Sequence, residues 1–338
     1  MNNKAKKIMN EQENIVKETI AGYCRFQQDR IHQIPGTQVL VRNELDAGKV
    51  GIVMGYGAGH EPDAIGYMGK NYMDAQAIGG LFAAPGPQPI YEALKAADSG
   101  AGALILISNC AGDVLNAKMA LEMCEDDYIN AKGILLGGTN VADPYTGRRM
   151  DRRMGVALFE TKMICGYAGL GHTLEEIVKF GDFVIDNVRA ITIGIRPGTS
   201  PSTGDLMYEL SDDELTLGAG GHGEAGAENI PMCSARKLAE HVLEMIIKDK
   251  PFVPGDELSF IVNGTGGTTM MELLIFYNDV WNILEEKGFK VFKPIVGTLS
   301  TIQESSGIVL DVCRMASDEM KETWLLPTDA TAFPVLRK

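Results

Sequence analysis

The sequence predicts two α/β domains with mainly parallel or mixed sheets, on three observations. The chain has 338 residues, about two domains at roughly 150 each. Short apolar runs of β character alternate with helix-like segments along its length. Glycine clusters follow several of those runs, as loops at strand ends do in layered α/β folds.

The elements run in this order. Residues 11–33 show helical periodicity, with Ile15, Ile20, Tyr23 and Phe26 on or near one face. Residues 50–54 and 103–107 are short β-type runs, each followed by glycines and a helix-like segment, and 132–136 is a third. A second series begins with 191–195 and continues with 258–262 and 290–296. Between these, 234–248 and 268–287 are amphipathic, with Ser234 and Thr268 or Thr269 suited to cap their N-termini. The Pro-, Gly- and Ser-rich stretch 196–205 is a loop. The expected boundary divides an N-terminal domain, 1–187, from a C-terminal domain, 188–338, with a substrate site in the crevice between motifs of both.

Composition narrows the function. Hydrophobic residues make up 45% and charged residues 22%, which excludes a largely disordered or fibrous chain. A net charge of −14 argues against a non-specific binder of nucleic acid or of an anionic membrane, since both need a basic face. The one dense basic cluster is Arg148, Arg149, Arg152 and Arg153. No apolar run approaches the roughly 20 residues that span a bilayer, and Met1 to Gln12 carries no signal-peptide core, so a cytoplasmic location is expected. The six cysteines lack CxxC spacing and the five histidines are dispersed, so no metal site is expected.

Three glycine-framed segments carry chemistry. In Gly55-Tyr56-Gly57-Ala58-Gly59-His60-Glu61-Pro62 the glycines permit tight turning and close approach of a ligand. The spacing is neither a dinucleotide fingerprint nor a phosphate loop. His60 either caps this loop or meets a small polar substrate. In Asn109-Cys110-Ala111-Gly112-Asp113-Val114-Leu115-Asn116, Asp113 is either an N-cap or a general base. In the segment from Leu217 to Gly226, five glycines surround His222, leaving an accessible imidazole able to add to a carbonyl. His32, His172 and His241 look like surface or satisfied core residues.

In this order and at this separation, the segments GAGHEP (57–62), NCAGDVLN (109–116) and GGHGEAG (220–226) resemble the substrate-binding subunit of dihydroxyacetone kinases. Further similarities are Gly66-Tyr67-Met68-Gly69, Gly147-Arg148-Arg149, Glu209-Leu210 before Asp212-Asp213-Glu214, and Val262-Asn263-Gly264-Thr265-Gly266-Gly267-Thr268. The likeness spans about residues 15–315. It implies that His222 binds a ketone carbon covalently as a hemiaminal and that Asp113 accepts the proton of the attacking hydroxyl. It also implies that His60 orients that hydroxyl and that Gly57, Ala58 and Gly59 close over the substrate. Nucleotide, as ATP with magnesium or as ADP rephosphorylated by a phosphotransferase-system protein, would sit on a separate partner subunit, with no cofactor on this chain. A homodimer is likewise implied.

Two departures from the family pattern touch the inferred pocket. Ala58 stands where a serine is usual, and Ser108 where a lysine is expected. They point to a ketose other than dihydroxyacetone, such as a four-carbon ketose or a derivative. The segments 148–155 and 301–307 also depart. A second reading is a regulatory paralogue that senses ketose and acts with a transcription regulator. A third is a nucleotide-binding oxidoreductase resting on the first glycine segment.

Overall fold

The computed structural model describes residues 6–63, 65–136, 157–222, 224, 226–250 and 252–336. The arginine cluster 148–153 and the Gly147-Arg148-Arg149 similarity lie outside the described residues. The described chain divides into two compact units, one formed by 8–136, 157–185 and 319–336, the other by 6–7 and 186–318.

The first unit begins with α1 (Ile15–Phe26). The helical periodicity does not carry through to residue 33. The helix stops at Phe26, and β1 (Ile31–Gln33) pairs antiparallel with β2 (Val39–Arg42), Ile31 opposite Arg42. There follow β3 (Gly51–Ala58), β4 (Ala75–Leu81), α2 (Pro87–Ala97), β5 (Ala103–Ile107), α3 (Ala111–Asp126), β6 (Ala131–Leu135), α4 (Leu158–Gly169) and α5 (Leu174–Asp186). The sheet order is β1-β2-β4-β3-β5-β6, with β4, β3, β5 and β6 mutually parallel. Proline opens α2 at a position where the missing N–H costs nothing. Its Ile90, Ala93, Leu94 and Ala97 recur at helical spacing and pack on Val39, Val53, Ala77 and Ile105. The chain leaves β3 toward β4 and leaves β5 toward β6, in opposite directions. The crevice beyond the carboxyl ends of β3 and β5 is therefore a topological switch point, where open α/β sheets take their ligands.

The second unit contains β7 (Val188–Arg196), β8 (Glu214–Leu217), β9 (Glu228–Pro231), α6 (Ala235–Asp249), β10 (Glu257–Gly264), α7 (Met270–Glu286), β11 (Lys290–Val291), β12 (Ile295–Gly297) and β13 (Ser306–Arg314). Only β11 and β12 run parallel to their neighbour β10; the β10–β13, β13–β7, β7–β8 and β8–β9 ladders are antiparallel. This sheet is thus mixed rather than mainly parallel. Strands joined by α7 return in the same direction, and those joined by loops reverse. Helices α6 and α7 cover one face, Leu238, Val242, Ile246, Phe276 and Val280 meeting Ile191, Phe260, Val262 and Leu310. Ser234 caps α6, and Thr269 with Glu272 forms a capping box on α7.

The Asn263-to-Thr268 motif fastens the chain that follows β12. The Asn263 amide accepts from Leu299 N at 2.7 Å and donates to Ser300 O at 2.9 Å. Thr265 Oγ1 donates to Ser305 O, also at 2.7 Å.

The chain end does not stay with the second unit. From Glu319 onward, including most of α8 (Asp318–Leu325), it belongs to the first. Trp324 packs on Phe159 at 4.7 Å between ring centroids, and Phe333 on Tyr72 at 5.6 Å. Buried Lys162 donates to Thr323 O at 2.8 Å. Aromatic anchors at 324 and 333, invisible as such in the local pattern, explain why a boundary leaving 188–338 in one piece does not describe this tail.

Candidate functional site

The first glycine segment is a strand and a turn rather than a loop. Gly55, Tyr56, Gly57 and Ala58 continue β3, and the turn begins at Gly59. The glycines answer a packing demand. A Cβ on Gly57 would lie 2.8 Å from Ala83 N, so the 82–86 segment can cross the strand only where no side chain stands. Phe82 N donates to Ala58 O at 2.8 Å, and Asn116 of α3 donates through Nδ2 to Pro85 O at 2.8 Å, tying that segment to both elements. At the turn, Gly59 has φ +116°, a conformation side chains resist, and its N–H donates to the Glu61 carboxylate at 3.1 and 3.2 Å.

That turn delivers His60 inward, only 2% exposed. Its ring lies 5.3 Å from Tyr56 and 5.0 Å from Phe82, centroid to centroid. The Tyr56 phenol is hydrogen-bonded to the carboxyl of Asp63, itself buried. Burial above all, then the Asp63 charge, pushes that phenol well above its ordinary range, so it is a neutral donor.

The second segment stands at the end of the adjacent strand. Ser108 follows β5, and its buried hydroxyl meets no hydrogen-bond partner among the described residues. The N-cap of α3 is Cys110, so Asp113 is the third helical residue rather than the cap. The helix N-terminus favours its carboxylate, but burial wins and raises the carboxyl from 3.8 to about 6, the Asp113 backbone bond only partly offsetting it. Cys110 and Asp113 both act electrostatically on Tyr56, which brings the two segments into one cluster with His60. Gly57 is half-buried, while Ala58 and Gly59 are buried beside it.

His222 belongs to the second unit, in the loop between β8 and β9. Gly218 N donates to Thr192 O at 2.7 Å and Gly226 N to Thr216 Oγ1 at 3.1 Å, closing the loop's base. The Glu224 carboxylate accepts from His222 N at 2.9 Å, and its other oxygen is 3.9 Å from His222 Nδ1. The His222 side chain is 38% exposed, as the glycine-rich surroundings predict. Gly223 and Ala225 lie outside the described residues.

Sequence reasoning passed over Tyr56, Asp63, Phe82 and Glu224. Tyr56 had a signal: in a strand it shares a face with Met54 and Ala58. Phe82 was marked only by the Pro and Gly that follow it. No cluster of three or more potential metal ligands occurs among the described residues, and no described helix is long and apolar enough to cross a membrane.

The Dak1 domain pattern matches residues 21–332. The dihydroxyacetone-binding subunit DhaK of PTS-dependent dihydroxyacetone kinase 1 from Listeria innocua is 34% identical over 97% of this chain and 100% of its own length. The L-erythrulose kinase of Pectobacterium atrosepticum is 30% identical over 96% of this chain, which spans 56% of that protein. Among solved structures, the dihydroxyacetone kinase operon co-activator Dha-DhaQ superposes with a TM-score of 0.85 at 25% identity, covering 93% of this chain and 97% of that one. The chain belongs to the Dak1 family, that of the substrate-binding subunits of dihydroxyacetone kinases.

Proposed function

We propose that this chain is the ketose-binding subunit of a dihydroxyacetone-type kinase, presenting a short ketose to a phosphoryl donor carried by a separate subunit. The observation that carries the reading is the cluster at the carboxyl ends of β3 and β5. There the His60 ring packs against Tyr56, the Asp113 carboxyl acts on Tyr56 electrostatically, and burial raises Asp113 to about 6. A carboxyl poised there is ionised at neutral pH yet more basic than an ordinary aspartate, as a general base requires.

An imidazole nitrogen of His222 adds through its lone pair to the ketone carbon. The C=O π pair moves to oxygen, which takes a proton as the ring's other nitrogen gives up its N–H proton, and a neutral hemiaminal forms with no net change in protons. This selects carbonyl substrates over polyols. Asp113 then takes the proton of the terminal hydroxyl as the hydroxyl oxygen attacks the terminal phosphorus of the donor nucleotide; the bridging P–O bond breaks, the nucleoside diphosphate leaves with its electron pair and stays with the partner, and His60 holds the hydroxyl in line. ATP with magnesium, or ADP recharged by a phosphotransferase-system protein, belongs to the partner.

The substrate of this reading is a four-carbon ketose. Ala58 lacks a hydroxyl, and the unpartnered Ser108 Oγ offers a hydrogen bond to an additional substrate hydroxyl. A kcat/KM panel that ranks dihydroxyacetone first removes it.

The second reading, a ketose-sensing co-activator, is favoured by the fold shared with Dha-DhaQ. Intact-mass spectrometry after incubation with short ketoses, beside His222→Ala, tests capture. Adding a nucleotide-bearing subunit with its donor and looking for phosphoketose separates enzyme from sensor. Capture without phosphoketose supports the sensor. Absence of any His222-dependent adduct removes both.

A further inference from the structure

Tyr56 ties the first-unit cluster together, yet neither the glycine pattern nor the family resemblance gives it a role. It lies inside β3 and is 9% exposed. Its ring meets the His60 imidazole at 5.3 Å and 57°, and its hydroxyl is hydrogen-bonded to the Asp63 carboxyl. Asp63 in turn donates from its backbone N to His60 O at 3.1 Å. One side chain therefore holds His60 twice, by direct ring contact and through the residue that closes its turn. An imidazole on a two-bond stem is free to rotate unless its neighbours fix it. Those neighbours include the rings of Tyr56 and Phe82.

We propose that Tyr56 is the positioning residue of His60, fixing the imidazole for the hydroxyl it orients. The inference rests on the proposed role of His60. Burial keeps the phenol protonated and therefore a donor to Asp63. A leucine would fill much of the same volume but present neither a flat ring to His60 nor a donor to Asp63.

The test uses the full chain with 13Cε1-labelled histidine, as wild type, Tyr56→Phe and Tyr56→Leu. The His60 resonance is assigned by its loss in His60→Asn. Tyr56→Leu is expected to shift and broaden that resonance, because a ring current is removed and the imidazole is released; Tyr56→Phe keeps it near its wild-type place. With partner subunit and donor in excess, kcat falls about a hundredfold in Tyr56→Leu and about tenfold in Tyr56→Phe, the scale of an ångström-sized misplacement. KM and the His222 adduct stay within about twofold, because capture does not use His60. An unmoved His60 resonance in Tyr56→Leu overturns the proposal, as does wild-type kcat in that variant. A parallel fall of kcat, adduct formation and melting temperature also overturns it, marking Tyr56 as ordinary core. A wild-type chain that neither captures ketose nor supports transfer defeats the functional reading instead, and the His60 resonance then decides Tyr56 alone.

Discussion

Lowering pH from 7 to 5 perturbs Asp113 more than an ordinary aspartate. With its carboxyl at about 6, roughly nine-tenths is ionised at pH 7 and roughly one-tenth at pH 5. Only the carboxylate can accept a proton, so kcat should fall about tenfold across that interval. An aspartate left at 3.8 would stay over about nine-tenths ionised at pH 5 and show no such limb. The stability effect has the opposite sign. A raised carboxyl pKa means the folded state binds the proton more tightly, so this group's stabilising share is full below about 4 and lost as pH rises through about 6. Asp113→Asn is a neutral near-isostere. At pH 7 it should lose about 10²–10⁴ in kcat while gaining roughly 1–3 kcal/mol of stability. The assay is a kcat–pH profile with partner and donor saturating, beside thermal melts of both proteins at pH 5 and 7. A profile flat from pH 7 to 5 would refute the burial argument. Full turnover in the Asp113→Asn variant would refute the base assignment.

Other perturbations follow from the same geometry. Gly57→Ala puts a methyl 2.8 Å from Ala83 N, so β3 and the 82–86 segment must part, at a cost of about 1–3 kcal/mol in denaturant titration. Unchanged stability would show that this segment is loose. Glu224→Gln weakens the charge-assisted bond to His222 N by roughly 1.5 kcal/mol, and His222 adduct formation should slow about tenfold in time-resolved mass spectrometry. An unaltered rate would free the loop from Glu224. Gln76 is fully buried on β4 and neither of its amide atoms meets a partner among the described residues, so Gln76→Met should stabilise by about 1–3 kcal/mol. A lower melting temperature would mean that buried water satisfies the amide. Trp324→Ala empties a site against Phe159 and Phe333 and should cost about 3–5 kcal/mol, read by denaturant midpoint.

Local sequence made some elements plain and hid others for physical reasons. The alternation of strands and helices through β3, β5, β6, β10, α6 and α7 is written in apolar spacing, and the caps at Ser234 and Thr269 in side-chain chemistry. Strands β8 and β9 are four residues each, joined by the His222 loop, with no helix between them to make an α/β rhythm. The end of β3 was hidden for another reason. Gly55 and Gly57 weaken a strand by local propensity, and only the crossing of residues 82–86, some 25 positions later, explains why the strand needs them. A glycine that serves close packing and a glycine that serves a turn look alike until the neighbour is known.

The site was legible as residue types and not as a constellation. His60 and Asp113 were both marked by their glycine frames, but nothing near either in sequence says that Tyr56 links them, the His60 ring packing on it and the Asp113 carboxyl acting on it electrostatically. That link follows from strand order. Because β5 pairs with β3 on the side away from β4, the ends of β3 and β5 lie side by side although 53 positions separate the two residues. The same placement buries Asp113 enough for desolvation to outweigh the helix N-terminus, so its basicity is a tertiary property. Tyr56 completes the point. As a strand residue it lies on the face opposite Gly55 and Gly57, whose missing side chains make room instead for Ala83, Pro85 and Ile90. The glycines of this motif therefore answer to close packing on one face of the strand, while Tyr56 meets His60 on the other.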